Sequence, residues 1–232
     1  MTDTLVSLEQ LSGEQLVAAI ERRFDTVRED IRVGKKKFNV IRPRNSDDLI
    51  REEDFVLDER LPYWADIWPS SIILAEQIMK RSGKGKLLEL GCGVGLVTTA
   101  AMSIGYDVLA SDYYTDALAF SRANSFNNLG RSCQAEMINW REFPRDAGDF
   151  DVVIASDVLY ESEYARLLPG ILKQALTLHG VALISDPGRM AAPEFLEHCE
   201  KNHLEVLSDD VFPFVAGEIK QKITIYELGR TR

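Results

Sequence analysis

Cysteine is scarce in this chain. Only Cys92, Cys133 and Cys199 occur in 232 residues, and no two of them form a Cys-x-x-Cys pair. An odd, scattered set excludes a disulfide framework and fits a reducing compartment, so a cytoplasmic protein is expected. The three histidines, His179, His198 and His203, share no metal-ligand spacing with the cysteines, and no metal site is expected. Long apolar runs are absent as well. Nothing approaches the roughly 18 residues of a membrane span, and no apolar stretch follows a basic start, so neither a membrane association nor a signal peptide is expected. Clustered positive charge is missing too. The net charge is -10 and the single basic run, Lys35-Lys36-Lys37, reads as a solvated loop or strand edge. Nucleic-acid binding needs clustered Lys and Arg against phosphates, so it is disfavoured. Internal repeats and low-complexity tracts are lacking.

What remains is a chain that is 45% hydrophobic and 28% charged, the balance of one globular domain with a short extension. Residues 1–60 read as an N-terminal helix and edge-strand extension, and residues 61–232 as the main domain. Ser12-Gly13-Glu14-Gln15 resembles a capping box. Leu16, Ile20, Phe24, Val27 and Ile31 then recur at helical spacing, which predicts a helix over about 13–32. Residues 36–42 alternate as an edge strand would, and 43–60 reads as a polar loop. Pro69 sits where a helix can start, followed by Ile72, Ile73, Ala75 and Ile78.

From residue 86 short apolar runs alternate with helical patterns. Strands are expected at 86–90, 107–111, 132–137, 152–156 and 181–185, and helices at 96–104, 115–127, 162–178 and 192–202. Strand-helix repetition of this kind implies a parallel sheet with helices on both faces. The last two strand-like runs, 205–211 and 222–227, are joined by a turn at 213–217 too short for a crossover, so they pair antiparallel. The expected fold is α/β: a Rossmann-like, seven-stranded, mostly parallel sheet ending in an antiparallel hairpin. A dinucleotide-binding fold would end in a sixth parallel strand instead.

Four segments carry the chemistry. Glu89-Leu90-Gly91-Cys92-Gly93-Val94-Gly95 follows a strand and opens a helix, and its glycines let backbone approach a ligand. Glu89, Gly91, Cys92 and Gly93 are therefore candidate cofactor contacts. The spacing is GxGxG; a dinucleotide fingerprint would need glycine at 96, which is Leu96. A plain tight turn is the alternative. Asp112 ends the second strand, 21 residues after Gly91, where a carboxylate can accept both hydroxyls of a ribose; a helix cap is the alternative. Trp140 follows the third strand and can cover an adenine face, or can serve the core. Ser156 and Asp157 end the fourth strand, and one helical turn would bring Tyr160 over the same cleft as Asp157; a cap with a packed tyrosine is the alternative.

This set resembles the class I, seven-strand methyltransferases, and within them methyltransferase family 16, mainly protein-lysine methyltransferases. The likeness covers about residues 60–228. It rests on Asp157-Val158-Leu159-Tyr160, on Pro62-Tyr63-Trp64-Ala65-Asp66-Ile67-Trp68-Pro69, and on Ser185-Asp186-Pro187-Gly188-Arg189. The resemblance implies S-adenosyl-L-methionine as cofactor. It implies Trp64 at the methionine end, Gly91 and Gly93 in backbone contact, Asp112 on the ribose, Trp140 beside the adenine and Ser156 lining the cleft. Asp157 and Tyr160 would face the acceptor as catalytic residues, the former orienting an incoming ammonium. The implied partner is a protein bearing the target lysine. A small-molecule amine and a non-catalytic cofactor-binding partner protein are the alternatives. The oligomeric state is left open.

Overall fold

The computed structural model describes residues 7–50 and 61–231. The N-terminal part comprises α1 (Gly13–Arg23), β1 (Thr26–Val33) and β2 (Lys36–Pro43). The main domain opens with α2 (Pro69–Ile78), β3 (Lys86–Leu90), α3 (Leu96–Ile104), β4 (Asp107–Asp112), α4 (Thr115–Leu129) and β5 (Gln134–Met137). It continues with β6 (Phe150–Ser156), α5 (Ser162–Ala175), β7 (Leu176–Asp186), α6 (Ala192–Lys201), β8 (Leu204–Ala216) and β9 (Ile219–Arg230). Among the described residues no helix is long and apolar enough to cross a membrane.

A strand covered on both faces needs apolar residues at successive positions, and β3 has them in Leu87, Leu88 and Leu90, all buried. Leu87 enters the core on one face of the sheet, with α1 to α4. Leu88 and Leu90 enter the core on the other face, with α5 and α6. The seven strands lie in the order β5-β4-β3-β6-β7-β9-β8. The first five of these are parallel, and β9 is antiparallel to both neighbours. The chain winds from β3 out to β5 and returns to β6 on the other side of β3. That reversal opens a crevice beyond the carboxyl ends of β3 and β6, where open α/β sheets bind ligands.

The expected sheet and terminal hairpin are present; several boundaries and one helix differ. The N-terminal helix stops at Arg23, and Val27 and Ile31 belong to β1. Residues 27, 31 and 33 share one parity, so Ile31 and Val33 both face inward from a strand, a period-two signal hidden inside an apparent helical one. Ser12 makes no side-chain cap bond, so the capping box does not form. β2 is not an edge of the main sheet. Among the described residues it pairs only with β1, in a separate two-stranded sheet. Most of the expected loop at 43–60 lies outside the described residues. α5 ends at Ala175, and β7 takes Leu176, Thr177 and Leu178. The hairpin strands are longer than expected, leaving a tight turn at Gly217-Glu218 with Gly217 at φ +58°. Pro69 opens α2 as expected.

β2 is held to the main domain by asparagines on α4. The Ile41 N–H donates to Asn124 Oδ1 (2.7 Å), and Asn124 Nδ2 donates to the carbonyls of Ile41 (2.8 Å) and Val94 (2.8 Å). One turn on, Asn128 accepts from the Asn39 N–H (2.9 Å) and donates back to the Asn39 carbonyl. Asn124 is buried, so its loss strands three polar backbone groups away from water. Asn124→Ala is expected to lower the unfolding free energy by about 3 kcal/mol, read as a fall in Tm of roughly 6–12 °C. A change below about 1 °C would show that the bonds are not needed.

Candidate functional site

Every position singled out from the sequence lines one cleft at the crevice above β3 and β6. Trp64, Glu89, Gly91, Cys92 and Gly93 form one side; Asp112, Trp140, Ser156, Asp157 and Tyr160 form the rest. Glycine backbone, carboxyl groups and aromatic rings meet in its lining, the mixture of apolar surface and a few placed polar groups that small-molecule sites use. An outer vestibule adjoins it, sharing Tyr63, Trp68, Asp157 and Tyr160 and adding Glu161 and Arg189.

The glycine loop is shaped by close approach. A Cβ on Gly93 (φ +50°) would stand 2.9 Å from the Trp64 carbonyl oxygen, and one on Gly95 (φ +81°) would stand 2.6 Å from the Ser121 Cα. Gly95 therefore serves helix packing, while Gly93 serves the passage of the Pro62–Pro69 segment over the loop. The Cys92 N–H donates to the Ser111 carbonyl (2.9 Å), and the Cys92 thiol is buried, which keeps it neutral. Trp64 is also mostly buried, packed on Phe120 and Tyr114.

Asp112 locks the loop. Its Oδ2 accepts from the Gly93 N–H (2.9 Å) and its Oδ1 from the Tyr114 N–H (3.0 Å), just before α4. Both the ligand reading and the cap reading thus have geometric content, because each carboxylate oxygen keeps a further lone pair for a hydroxyl. Burial pushes this carboxyl up from its ordinary range.

Asp157 does not begin a helical turn. It sits at φ +55° and the chain through Tyr160 is irregular. Asp tolerates this left-handed conformation better than most residues, and its N–H is held by the Ser185 carbonyl (2.9 Å). The irregular path still brings Tyr160 back to the cleft, where it meets Tyr63 edge-on at 5.6 Å and Tyr164 at 5.2 Å. Trp140 closes on Tyr164 at 5.0 Å, and Trp68 on Tyr63 at 6.1 Å. The result is a continuous aromatic wall. Tyr63 and Tyr164 were not identified as site residues from sequence; only the aromatic character of 62–69 hinted at the first.

The partner of Asp157 was also missed. Arg189 Nε donates to Asp157 Oδ1 at 2.7 Å, and Ser70 Oγ reaches Oδ2 at 3.4 Å. Arg189 is placed by Asp186, whose Oδ2 accepts from the N–H groups of Gly188 (2.8 Å) and Arg189 (3.0 Å). Asp186 Oδ1 is buried with no hydrogen-bond partner among the described residues, and burial raises this carboxyl.

Glu89 projects from β3 toward α3, where the Thr98 hydroxyl donates to it. Burial is the main cause that lifts its carboxyl from 4.5 to about 8. The folded state therefore binds this proton more tightly than the unfolded chain. The stability tied to it is fully present below about pH 4.5 and is lost as pH rises through about 8. Glu89→Gln keeps the acceptor for Thr98 and removes the charge. Its Tm relative to the parent is expected to rise by several degrees between about pH 5 and pH 9; a difference flat with pH would contradict the burial argument.

Comparison with known proteins follows the same lines. The family model described as Lysine methyltransferase matches residues 58–206. The electron transfer flavoprotein beta subunit lysine methyltransferase of Xenopus laevis is 34% identical over 154 residues, 63% of this chain and 60% of that protein. The protein-lysine methyltransferase METTL21E of Mus musculus is 30% identical over 120 residues, 46% of this chain and 49% of that one. This chain thus spans about 60% of the length of the frog relative. Magnesium protoporphyrin IX methyltransferase from Synechocystis PCC 6803, solved with bound SAM, shares the fold. Its TM-score is 0.55 at 17% identity, over 70% of this chain and 78% of that one. Because the family model accounts for well over half of its length, the chain belongs to the lysine methyltransferase family, within the class I methyltransferases that use S-adenosylmethionine.

Proposed function

We propose that this protein transfers the methyl group of S-adenosylmethionine to the side-chain amine of lysine in a protein. The observation that carries the reading is Asp157, a buried carboxylate shared by the large cleft and the outer vestibule. A group there can hold an amine that arrives from solvent against a methyl donor bound inside. The relatives' names supply the acceptor class: lysines of proteins, among them the electron transfer flavoprotein beta subunit.

The cleft fits the cofactor. A side chain at Gly91 would project beside Trp140 and Val158 into the space a ligand needs. Asp112 has lone pairs left for ribose hydroxyls, and Trp140 offers an indole for an adenine. We assign Gly91 and Gly93 to backbone contact, Trp64 to the methionine end, and Glu89, Cys92 and Ser156 to the floor of the cleft. Methyl transfer belongs to residues 61–232, with 1–60 as a supporting extension. The three buried free thiols favour a reducing, cytoplasmic setting.

When bound, S-adenosylmethionine supplies an electrophilic methyl on a sulfonium. The chain's own task is to present a neutral amine in line with the S–CH3 bond, and such positioning can supply several kcal/mol. As the N–CH3 bond forms, the S–CH3 bond breaks, leaving S-adenosylhomocysteine and a methylated lysine. A free lysine, with a pKa near 10.4, arrives as an ammonium, and the group that meets it in the cleft is Asp157. It orients the nitrogen, while the proton leaves to water and Tyr160 closes the channel. Tyr63 and Tyr160 are 43% and 41% exposed at the rim. That openness supports a side chain delivered by a protein over a small amine enclosed in a pocket.

Radiolabelled S-adenosylmethionine with purified electron transfer flavoprotein beta subunit, and in parallel with a cell extract, is expected to label a protein band. Label confined to small metabolites would overturn the protein-lysine reading. Asp157→Ala is expected to slow transfer by about 100-fold or more while S-adenosylmethionine affinity stays within about 3-fold; unimpaired transfer would remove Asp157 from the mechanism.

A further inference from the structure

The acceptor-facing carboxylate already has a cation on it. Arg189 Nε lies 2.7 Å from Asp157 Oδ1; Asp157 is only 8% exposed while the Arg189 side chain is 36% exposed, so it is the carboxylate end of the pair that is shielded from water. Among the described residues Oδ2 has only the 3.4 Å contact from Ser70, leaving that edge available to a ligand nitrogen. The guanidinium is not there by chance rotation. Asp186 accepts the Arg189 N–H, and Gly188 at φ +92° bends the chain so that the side chain returns over the end of β6.

An unpaired carboxylate would be a poor neighbour for this reaction. An opposite charge within about 4–6 Å stabilises the ammonium and raises its pKa by roughly 1–3 units, away from the neutral amine that attack requires. A carboxylate already paired with a guanidinium keeps its lone pairs for orienting the nitrogen but brings no net charge. We propose that Arg189 sets the protonation state of the methyl acceptor: by cancelling the charge of Asp157 it lets the bound lysine shed its proton to vestibule water while Oδ2 still aims the nitrogen. Arg189 is a positioning residue acting through Asp157. The inference rests on the methyl-transfer reading above.

Among the described residues the other titratable groups around the pair are few. Asp186 lies behind it at the end of β7, with Tyr226 of β9 next to Asp186. Tyr63 comes from the segment before α2, Tyr114 from the turn before α4, and Tyr160 and Glu161 from the loop after β6. Asp112 sits deeper, on the cofactor side. Of these, Glu161 is exposed at the rim, where its charge attracts a cationic side chain without contacting the reacting nitrogen.

The test is the pH dependence of kcat and KM, with saturating S-adenosylmethionine and either electron transfer flavoprotein beta subunit or n-butylamine as acceptor. In Arg189→Gln the acidic limb of kcat is expected to move up by roughly one pH unit. Near pH 7.5 kcat then falls about 10-fold, the variant converges with the parent near pH 10, and KM for the acceptor drops because the uncancelled carboxylate holds the ammonium more tightly. Arg189→Lys keeps the charge and is expected to retain the parent limb. Asp157→Asn leaves the guanidinium uncancelled, so its limb is expected to move down in pH even though its maximal kcat is lower; this variant also serves if Arg189→Gln does not fold. A uniform loss at every pH, an unmoved limb, or a rise in KM in Arg189→Gln would reduce Arg189 to a structural clamp and overturn the inference. If the parent protein methylates neither acceptor at any pH, the methyl-transfer reading falls and takes this inference with it, a result distinct from methylation with an unmoved limb.

Discussion

Four carboxyl groups crowd the carboxyl ends of four adjacent strands, and the site is organised around keeping them there. Glu89 belongs to β3, Asp112 to β4, Asp157 follows β6 and Asp186 ends β7, and all four are buried. Burying a carboxylate without compensation is strongly unfavourable. The compensation takes three forms. Glu89 takes a hydroxyl from Thr98 and a raised proton affinity; Asp112 and Asp186 each take two backbone N–H groups; Asp157 takes an arginine. The backbone N–H groups come from the glycine loop, the turn before α4 and the Asp-Pro-Gly-Arg turn. The geometry of those loops is thus tied to the acids. A cleft of this character suits cationic ligands, and the proposed reaction brings two, a sulfonium and an ammonium. Their approach to each other is disfavoured unless one loses its charge.

The aromatic wall supplies the other half of that condition. Trp68, Tyr63, Tyr160, Tyr164 and Trp140 meet edge to face in sequence along the rim. Such a wall displaces water from the reacting atoms, which strengthens every electrostatic interaction inside. The left-handed backbone of Asp157 belongs to the same design. Non-glycine residues in that region store of order 1–3 kcal/mol of strain, and here the strain turns a strand end back sharply enough to present both its carboxylate and Tyr160 to one space.

The fold was legible in the sequence wherever periodicity and punctuation agreed. Val152–Ser156 and Leu87–Leu90 are apolar at successive positions, and glycines follow β3 at a spacing that excludes a dinucleotide fingerprint. The misreadings came from local ambiguity. Val27 and Ile31 satisfy a four-residue helical step and a two-residue strand step alike, and only pairing with β2 decides between them. Leu176–Leu178 could extend α5 on composition, yet the β7 ladder takes them. The residues carried by motif all line one cleft, but their mutual contacts were not legible. Arg189 stands 32 positions from Asp157 in the chain and only the sheet brings the ends of β6 and β7 together. Asp157 and Tyr160 reach one cleft by an irregular path where a helical turn was expected, so the placement held while its reason did not.

α4 explains how the N-terminal extension bears on a cleft that its described residues do not line. Its Phe120 packs on Trp64, its Ser121 stands where a Cβ of Gly95 would fall, and its Asn124 binds both β2 and the Val94 carbonyl of the glycine loop. The helix is therefore the back wall of the proposed cofactor cradle, and β2 is fastened to the far side of that wall through the same asparagine. Asn124 has two donors and one acceptor oxygen, and all are engaged, so β2 cannot shift without releasing a bond to the loop or to itself. Coupling of this kind needs no contact with ligand. It requires only that one buried amide be shared between the extension and the loop, and that no water reach it to substitute for either.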